Sequence, residues 1–251
     1  MVSRYPRRRS GRDVRVKFAL ATAAALVALP GAASAQAYRC AIPQRLPDPR
    51  VEGPTQREPR RVLPIGSYTL AISWSPQFCR TSGNRPSSRV QCGGGNDFGF
   101  TLHGLWPDGR GKAWPQYCRA APALPAAVIR RNLCATPSVQ LLQHEYAKHG
   151  TCMGVSPAAY FEQSTRLYGR LRYPDMDALS RRRGLTTGQF AQAFARANPG
   201  LTPAMLRVTA DRQGWLDEVW ICLDTRLGYT RCPARQRGRP AGQPLRIWRG
   251  R

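Results

Sequence analysis

The chain has only three histidines in 251 residues, and all three fall in two short segments. His103 stands in FTLHGLWPDG. His144 and His149 stand in LLQHEYAKHGTC, with Glu145 and Lys148 between them. Imidazole both accepts and donates protons near neutral pH. Histidines gathered beside a carboxylate and a cation point to acid–base chemistry. Two opposed imidazoles suit an in-line displacement, in which one takes a proton from the attacking oxygen and the other protonates the leaving oxygen. A lysine and a third histidine can stabilise charge on equatorial phosphoryl oxygens. Glu145 can orient an imidazole or share a proton with the phosphoryl group. Zinc is the rival reading, because HEYAKH resembles H-E-x-x-H. Its histidines are five apart rather than four, a spacing not expected to face one metal well, and Lys148 would repel a cation. Neither a metal nor a cofactor is expected.

The elements around these segments must bring them together. Residues 138–149 read as a helix, with Ser138 as N-cap and Gly150 as stop. On it Lys148 lies over His144 and His149 over Glu145, so all four can line one edge of a cleft. FGFTLHG (98–104) alternates, with Phe98, Phe100 and Leu102 on one face and Thr101 and His103 on the other. His103 is expected at the end of that strand. YTLAISW (68–74), MLRVTA (205–210) and WLDEVWICLD (215–224) read as further strands. Ser156-Pro157 opens a helix to about Leu171, and Thr187 caps another over GQFAQAFARAN. Strands with interspersed helices give an α+β domain.

The flanks differ from this core. Ile42 to Gly66 carries six prolines and little apolar period, an extended arm tied at Cys40 or a linker. After Cys232 the last 18 residues hold six arginines and no acid, and read as a mobile basic tail. At the other end, basic residues precede the apolar run FALATAAALVALP and the small-residue segment GAASAQA. This is the pattern of a secretory signal peptide cut after Ala35 or Ala37. The apolar run is about 13 residues, short for the roughly 20 of a membrane span.

The net charge is +25, and +19 without residues 1–35. It invites a polyanion partner. However, 36 of the 39 cations are arginines, a bias that weakens charge as a guide to function. An apolar content of 42% excludes a disordered chain. The eight cysteines contain no C-x-x-C, which disfavours a zinc ribbon and favours disulfides in an oxidising compartment. Which cysteines pair is open at this level.

FTLHGLWPDG and HEYAKHGTC resemble the two active-site segments of the T2 family of secreted ribonucleases. ISWSPQFC (72–79) is similar to that family's first strand, and ICLD (221–224) with Cys232-Pro233 to its last core strand. The likeness runs from about Tyr68 to Pro233, with Tyr146 where the family often has tryptophan.

This resemblance implies a single disulfide-stapled α+β domain over 67–233, a central antiparallel sheet with helices packed on it. Residues 1–35 would be the signal peptide, 36–66 the Pro-rich arm and 234–251 the basic tail. It implies a metal-independent endoribonuclease of low base specificity that acts through a 2′,3′-cyclic phosphate. The protein would be a secreted or periplasmic monomer, acting on single-stranded RNA and neither on DNA nor at a membrane. His103 and His149 would be the acid–base pair, with His149 the base and His103 the acid. His144 would bind phosphate, and Glu145 and Lys148 would stabilise the transition state. Trp106, Trp114 and Tyr117 are candidate base platforms, and Asp108 a candidate acceptor for an exocyclic amine with some purine bias. The implied disulfides are Cys79–Cys92, Cys118–Cys152 and Cys222–Cys232, which leaves Cys40–Cys134. The alternative is a catalytically silent, secreted basic protein that binds RNA or other polyanions.

Overall fold

Alternation of apolar side chains builds the sheet as expected. The computed structural model describes residues 1–2, 36–93 and 95–250, and the expected signal peptide falls almost wholly outside them. The strands are β1 (Ala37–Arg39), β2 (Ile65–Trp74), β3 (Asp97–Phe98), β4 (Phe100–Gly109), β5 (Leu206–Ala210) and β6 (Leu216–Leu223). The helices are α1 (Ser75–Ser82), α2 (Arg89–Cys92), α3 (Ala126–Asn132), α4 (Val139–Lys148), α5 (Pro157–Gly169), α6 (Met176–Arg181) and α7 (Thr187–Ala197). No described helix is long and apolar enough to cross a membrane.

Four strands pair antiparallel in the order β4-β2-β6-β5. Leu70, Ile72 and Trp74 of β2 share the core with Phe100, Leu102 and Leu105 of β4 and Val219, Ile221 and Leu223 of β6. Tyr160, Phe161 and Tyr168 of α5 and Phe190 and Phe194 of α7 belong to the same core. This is the expected α+β domain. All eight cysteines are paired, as Cys40–Cys134, Cys79–Cys92, Cys118–Cys152 and Cys222–Cys232.

The ends of helices follow their caps. The Ser138 side chain accepts from Leu141 N at 3.2 Å and starts α4. For α7 the cap is Thr186, one residue before the expected Thr187. Thr186 and Gln189 satisfy each other's backbone N–H groups in a capping box.

The expectation of a mobile tail is corrected. Leu245 and Ile247 are buried in the core. The backbone of 239–246 bonds to Val208, Gly188, Thr187, Leu185, Leu216 and Gly214, and Trp248 O accepts from Trp74 Nε1 at 2.6 Å. Two apolar side chains of the same alternation and a row of backbone partners hold this arginine-rich segment down.

Candidate active site

A bulge in β4 places the first histidine. Ala71 pairs with Gly104 and Ile72 with Leu102, so His103 is an extra residue in the ladder. His103 therefore sits inside a ten-residue strand rather than at the end of one. Side chains alternate faces along a strand. Without the bulge Trp106 and Asp108 would share the core face of Phe100 and Leu102. The extra residue switches the phase: Leu105 stays in the core, and Trp106 and Asp108 come out beside His103.

On the same face β2 and β6 supply a polar floor. Glu218 of β6 accepts from Ser73 Oγ at 2.7 Å and from Trp220 Nε1 at 2.8 Å. Its Oε1 lies 2.5 Å from His103 Nδ1. Burial disfavours charge on His103, but the Glu218 hydrogen bond and the carboxylates of Glu145 and Glu218 outweigh it. The imidazole pKa is pushed up to about 9. With Nδ1 held by Glu218, Nε2 lies 3.5 Å from Glu145 Oε1.

Helix α4 brings the second cluster. Glu145 is 1% exposed and its Oε2 accepts from Trp106 Nε1 at 2.8 Å. Burial raises its pKa against the opposing influence of His103 and His144. Gly104 makes the approach possible, because a Cβ there would lie 1.8 Å from Glu145 Oε2. His149 caps the helix and is 7% exposed. Burial depresses its pKa well below the ordinary value, and the positive charges of Lys148, His144 and His103 depress it further. The Trp106 ring neighbours both histidines, its centroid 5.1 Å from that of His103 and 5.6 Å from that of His149. Three of the five residues singled out by sequence, His103, Glu145 and His149, thus meet around one tryptophan, and the ring of His144 lies 6.4 Å from that of His149.

The sequence profile of the ribonuclease T2 family matches residues 65–232. The chain belongs to the ribonuclease T2 family. It is 31% identical over 183 residues to a probable ribonuclease of Haemophilus influenzae, covering 68% of this chain and 62% of that protein. It is 33% identical over 162 residues to a ribonuclease of Aeromonas hydrophila, covering 62% of this chain and 71% of that one. The chain thus spans less than two thirds of the length of the Haemophilus relative. Its fold is similar to that of an RNase-related protein from Calystegia sepium, with a TM-score of 0.56 and 23% identity over 70% of this chain and 95% of that one. RNase NT, solved with 5′-AMP, has a TM-score of 0.55 and 21% identity over 73% of this chain and 98% of that one.

In this T2-family chain a cleft of about 530 Å³ opens beside the histidines, lined among others by Trp106, Asp108, Trp114, His149, Trp220 and Gln236. Asp108 Oδ2 accepts from Thr69 Oγ1 at 2.7 Å, and Thr69 in turn accepts from Gln236 Nε2 at 2.8 Å. Burial raises the Asp108 pKa, and the Thr69 hydrogen bond and Arg235 pull it back. Tyr117 does not join these residues. It is 4% exposed with its ring in the core, and only its hydroxyl reaches outward, 3.4 Å from Glu58 Oε2. It is no platform for a base.

The metal expectation from spacing also needs correction. His144, Glu145 and His149 each offer a ligand atom within 4.8 Å of the others. The helix ends at Lys148, and His149, with φ −108°, leaves the regular helical path. The setting still opposes a dication, since the Lys148 ammonium is adjacent to the three side chains.

Sequence reasoning missed four residues that touch the cluster. Glu218 and Trp220 lie on the polar side of the strongly alternating 215–224, where the period already marked them. Glu52 and Glu58 come from the Pro-rich arm. Glu52 Oε2 is 2.6 Å from His144 Nδ1, and Lys148 Nζ donates to Glu58 Oε1 at 2.5 Å. No period or motif flags them.

Proposed function

We propose that the chain is a secreted or periplasmic, metal-independent endoribonuclease that cleaves single-stranded RNA by transphosphorylation with low base specificity. One observation carries this reading: two imidazoles flank one tryptophan ring, His103 held by Glu218 and His149 buried beside Lys148, surroundings that favour opposite protonation states. His103, at about 9, holds a proton at neutral pH. His149, held well below its ordinary value, is free to take one. This is the division of labour that a general acid and a general base need.

His149 removes the proton of the ribose 2′-OH, and that oxygen attacks the adjacent phosphorus. The P–O5′ bond breaks, and His103 donates its proton to the leaving 5′-oxygen. The products are a 2′,3′-cyclic phosphate and a free 5′-OH. His144 binds a phosphoryl oxygen. Lys148 and Glu145 stabilise the charge that builds on the equatorial oxygens. Glu218 touches no reacting atom, and it positions His103 and keeps its proton. DNA lacks the 2′-OH and resists.

The base enters the cleft between Trp106, Trp114 and Trp220. Stacking on an aromatic ring contributes about 1–3 kcal/mol per base and tolerates any base. Asp108, fixed by Thr69 and Gln236, accepts from an exocyclic amine and adds a mild purine bias. Four disulfides and the leader-like N-terminus support an oxidising, extracytoplasmic location. Product analysis on a defined oligoribonucleotide in excess EDTA tests the reading. Cyclic-phosphate ends and free 5′-OH ends are expected. Intact RNA, or cleavage without the cyclic phosphate, would contradict it.

A further inference from the structure

Residues 41–64 join the Cys40–Cys134 disulfide to β2 without a helix or strand of their own. Nothing between them is buried, and the half-buried positions include Glu52 and Glu58. Those two face α4. Arg50 N donates to Gln140 Oε1 at 3.0 Å, and Gln140 Nε2 returns a bond to Arg50 O at 3.1 Å. This pair lays the chain along the helix, where Glu52 accepts from Gln140 and pairs with His144. A local turn follows, with Thr55 N bonded to Glu58 O and Glu58 N to Thr55 Oγ1, each at 3.0 Å. The turn presents Glu58 to Lys148, which holds its carboxyl below the usual range. Arg61 then pairs with Gln116 through two backbone bonds of 2.9 Å and leads into β2.

The arm thus sets a carboxylate on each of the two side chains, His144 and Lys148, to which the ribonuclease reading assigns phosphoryl oxygens. We propose that the arm is a built-in competitor for those anion sites, displaced by polynucleotides and biased against short ones. The proposal rests on the ribonuclease reading of the same cleft.

A carboxylate already paired with a side chain occupies one of its donors and repels an incoming phosphoryl oxygen, so the two anions compete. Only the stretch that carries the two glutamates has to move. It is held by Gln140, His144 and Lys148, while Leu46 on the core and Arg60 and Arg61, bonded to Cys118, Trp114 and Gln116, keep the rest of the arm in place. Because it is tethered, its carboxylates return at high local concentration. A long RNA carries many phosphates onto a strongly basic surface and outcompetes two carboxylates. A dinucleotide carries a single phosphate and does not.

The test compares the full chain with its Glu52→Gln/Glu58→Gln variant at low salt. Binding of fluorescent oligodeoxythymidylates of two and twenty nucleotides is read by anisotropy, because these ligands lack the 2′-OH. Charge pairs of this kind predict about 3- to 30-fold tighter dinucleotide binding by the variant, with a smaller gain for the longer ligand. Turnover of a diribonucleotide should rise in parallel. Unchanged binding overturns the proposal. So does weaker binding, which would mean that the glutamates orient His144 and Lys148 rather than block them. If neither protein cleaves RNA, the ribonuclease reading fails while the anisotropy still decides the role of the arm.

Discussion

His103 and His149 flank the same tryptophan, and their surroundings are opposed. His103 stands on a strand among carboxylates, with Glu218 at 2.5 Å and Glu145 at 3.5 Å. His149 stands at a helix end, buried beside Lys148 and near His144. The surroundings of His103 therefore favour the charged ring and those of His149 the neutral one. The two imidazoles differ because His103 lies between Glu218 of β6 and Glu145 of α4, whereas His149 is buried and its neighbours are cationic.

Removing either imidazole tests the comparison most severely. His103→Ala and His149→Ala should each lower the rate of RNA cleavage by about 100- to 10,000-fold. Initial rates on a defined oligoribonucleotide measure this, and more than a few per cent of residual activity in either variant breaks the assignment. Gly104→Ala tests whether the two sides must touch. Its Cβ would lie 1.8 Å from Glu145 Oε2, so the carboxylate must move. Overpacking of this kind costs about 1–3 kcal/mol, read as a lower urea midpoint together with lost activity.

Glu218→Gln sharpens the comparison without emptying the site. The amide can still accept a hydrogen bond from Nδ1, but the negative charge is gone. In the unmodified protein kcat/KM should rise with pH as His149 loses its proton, well below 6.5, and fall above about 9 as His103 loses its own. In Glu218→Gln the alkaline limb should move down toward 6.5 while the acid limb stays. A purely structural role for Glu218 would lower the whole profile without moving that limb. Asp108→Asn should have the smallest effect. It should alter the ratio of poly(A) to poly(U) cleavage by a few-fold, and an unchanged ratio removes Asp108 from base recognition.

The cluster was legible because it is made of rare residues. Three histidines, one glutamate and one lysine in two segments pointed to proton transfer, and α4 carries His144, Glu145 and Lys148 with His149 as its C-cap, off the regular helical path. The sheet was legible where alternation was clean, as in β6. What stayed hidden depends on backbone pairing or on distant partners. The bulge at His103 is set by the register of β2 against β4, which side-chain period alone does not report. Glu218 lies 115 residues from His103 in sequence and meets it only through strand order. Glu52 and Glu58 sit in a segment with no period at all. The last 18 residues misled because arginines mask Leu245 and Ile247, two apolar side chains at strand spacing that anchor the segment.

The opposed protonation states of the two imidazoles are the central claim, and an NMR titration of ring-labelled histidine in the full chain measures them directly. His103, identified by its loss in His103→Ala, should titrate near 9, and His149 should stay neutral to well below 6.5. Two imidazoles that titrate together near the ordinary value of about 6.5 would contradict the account.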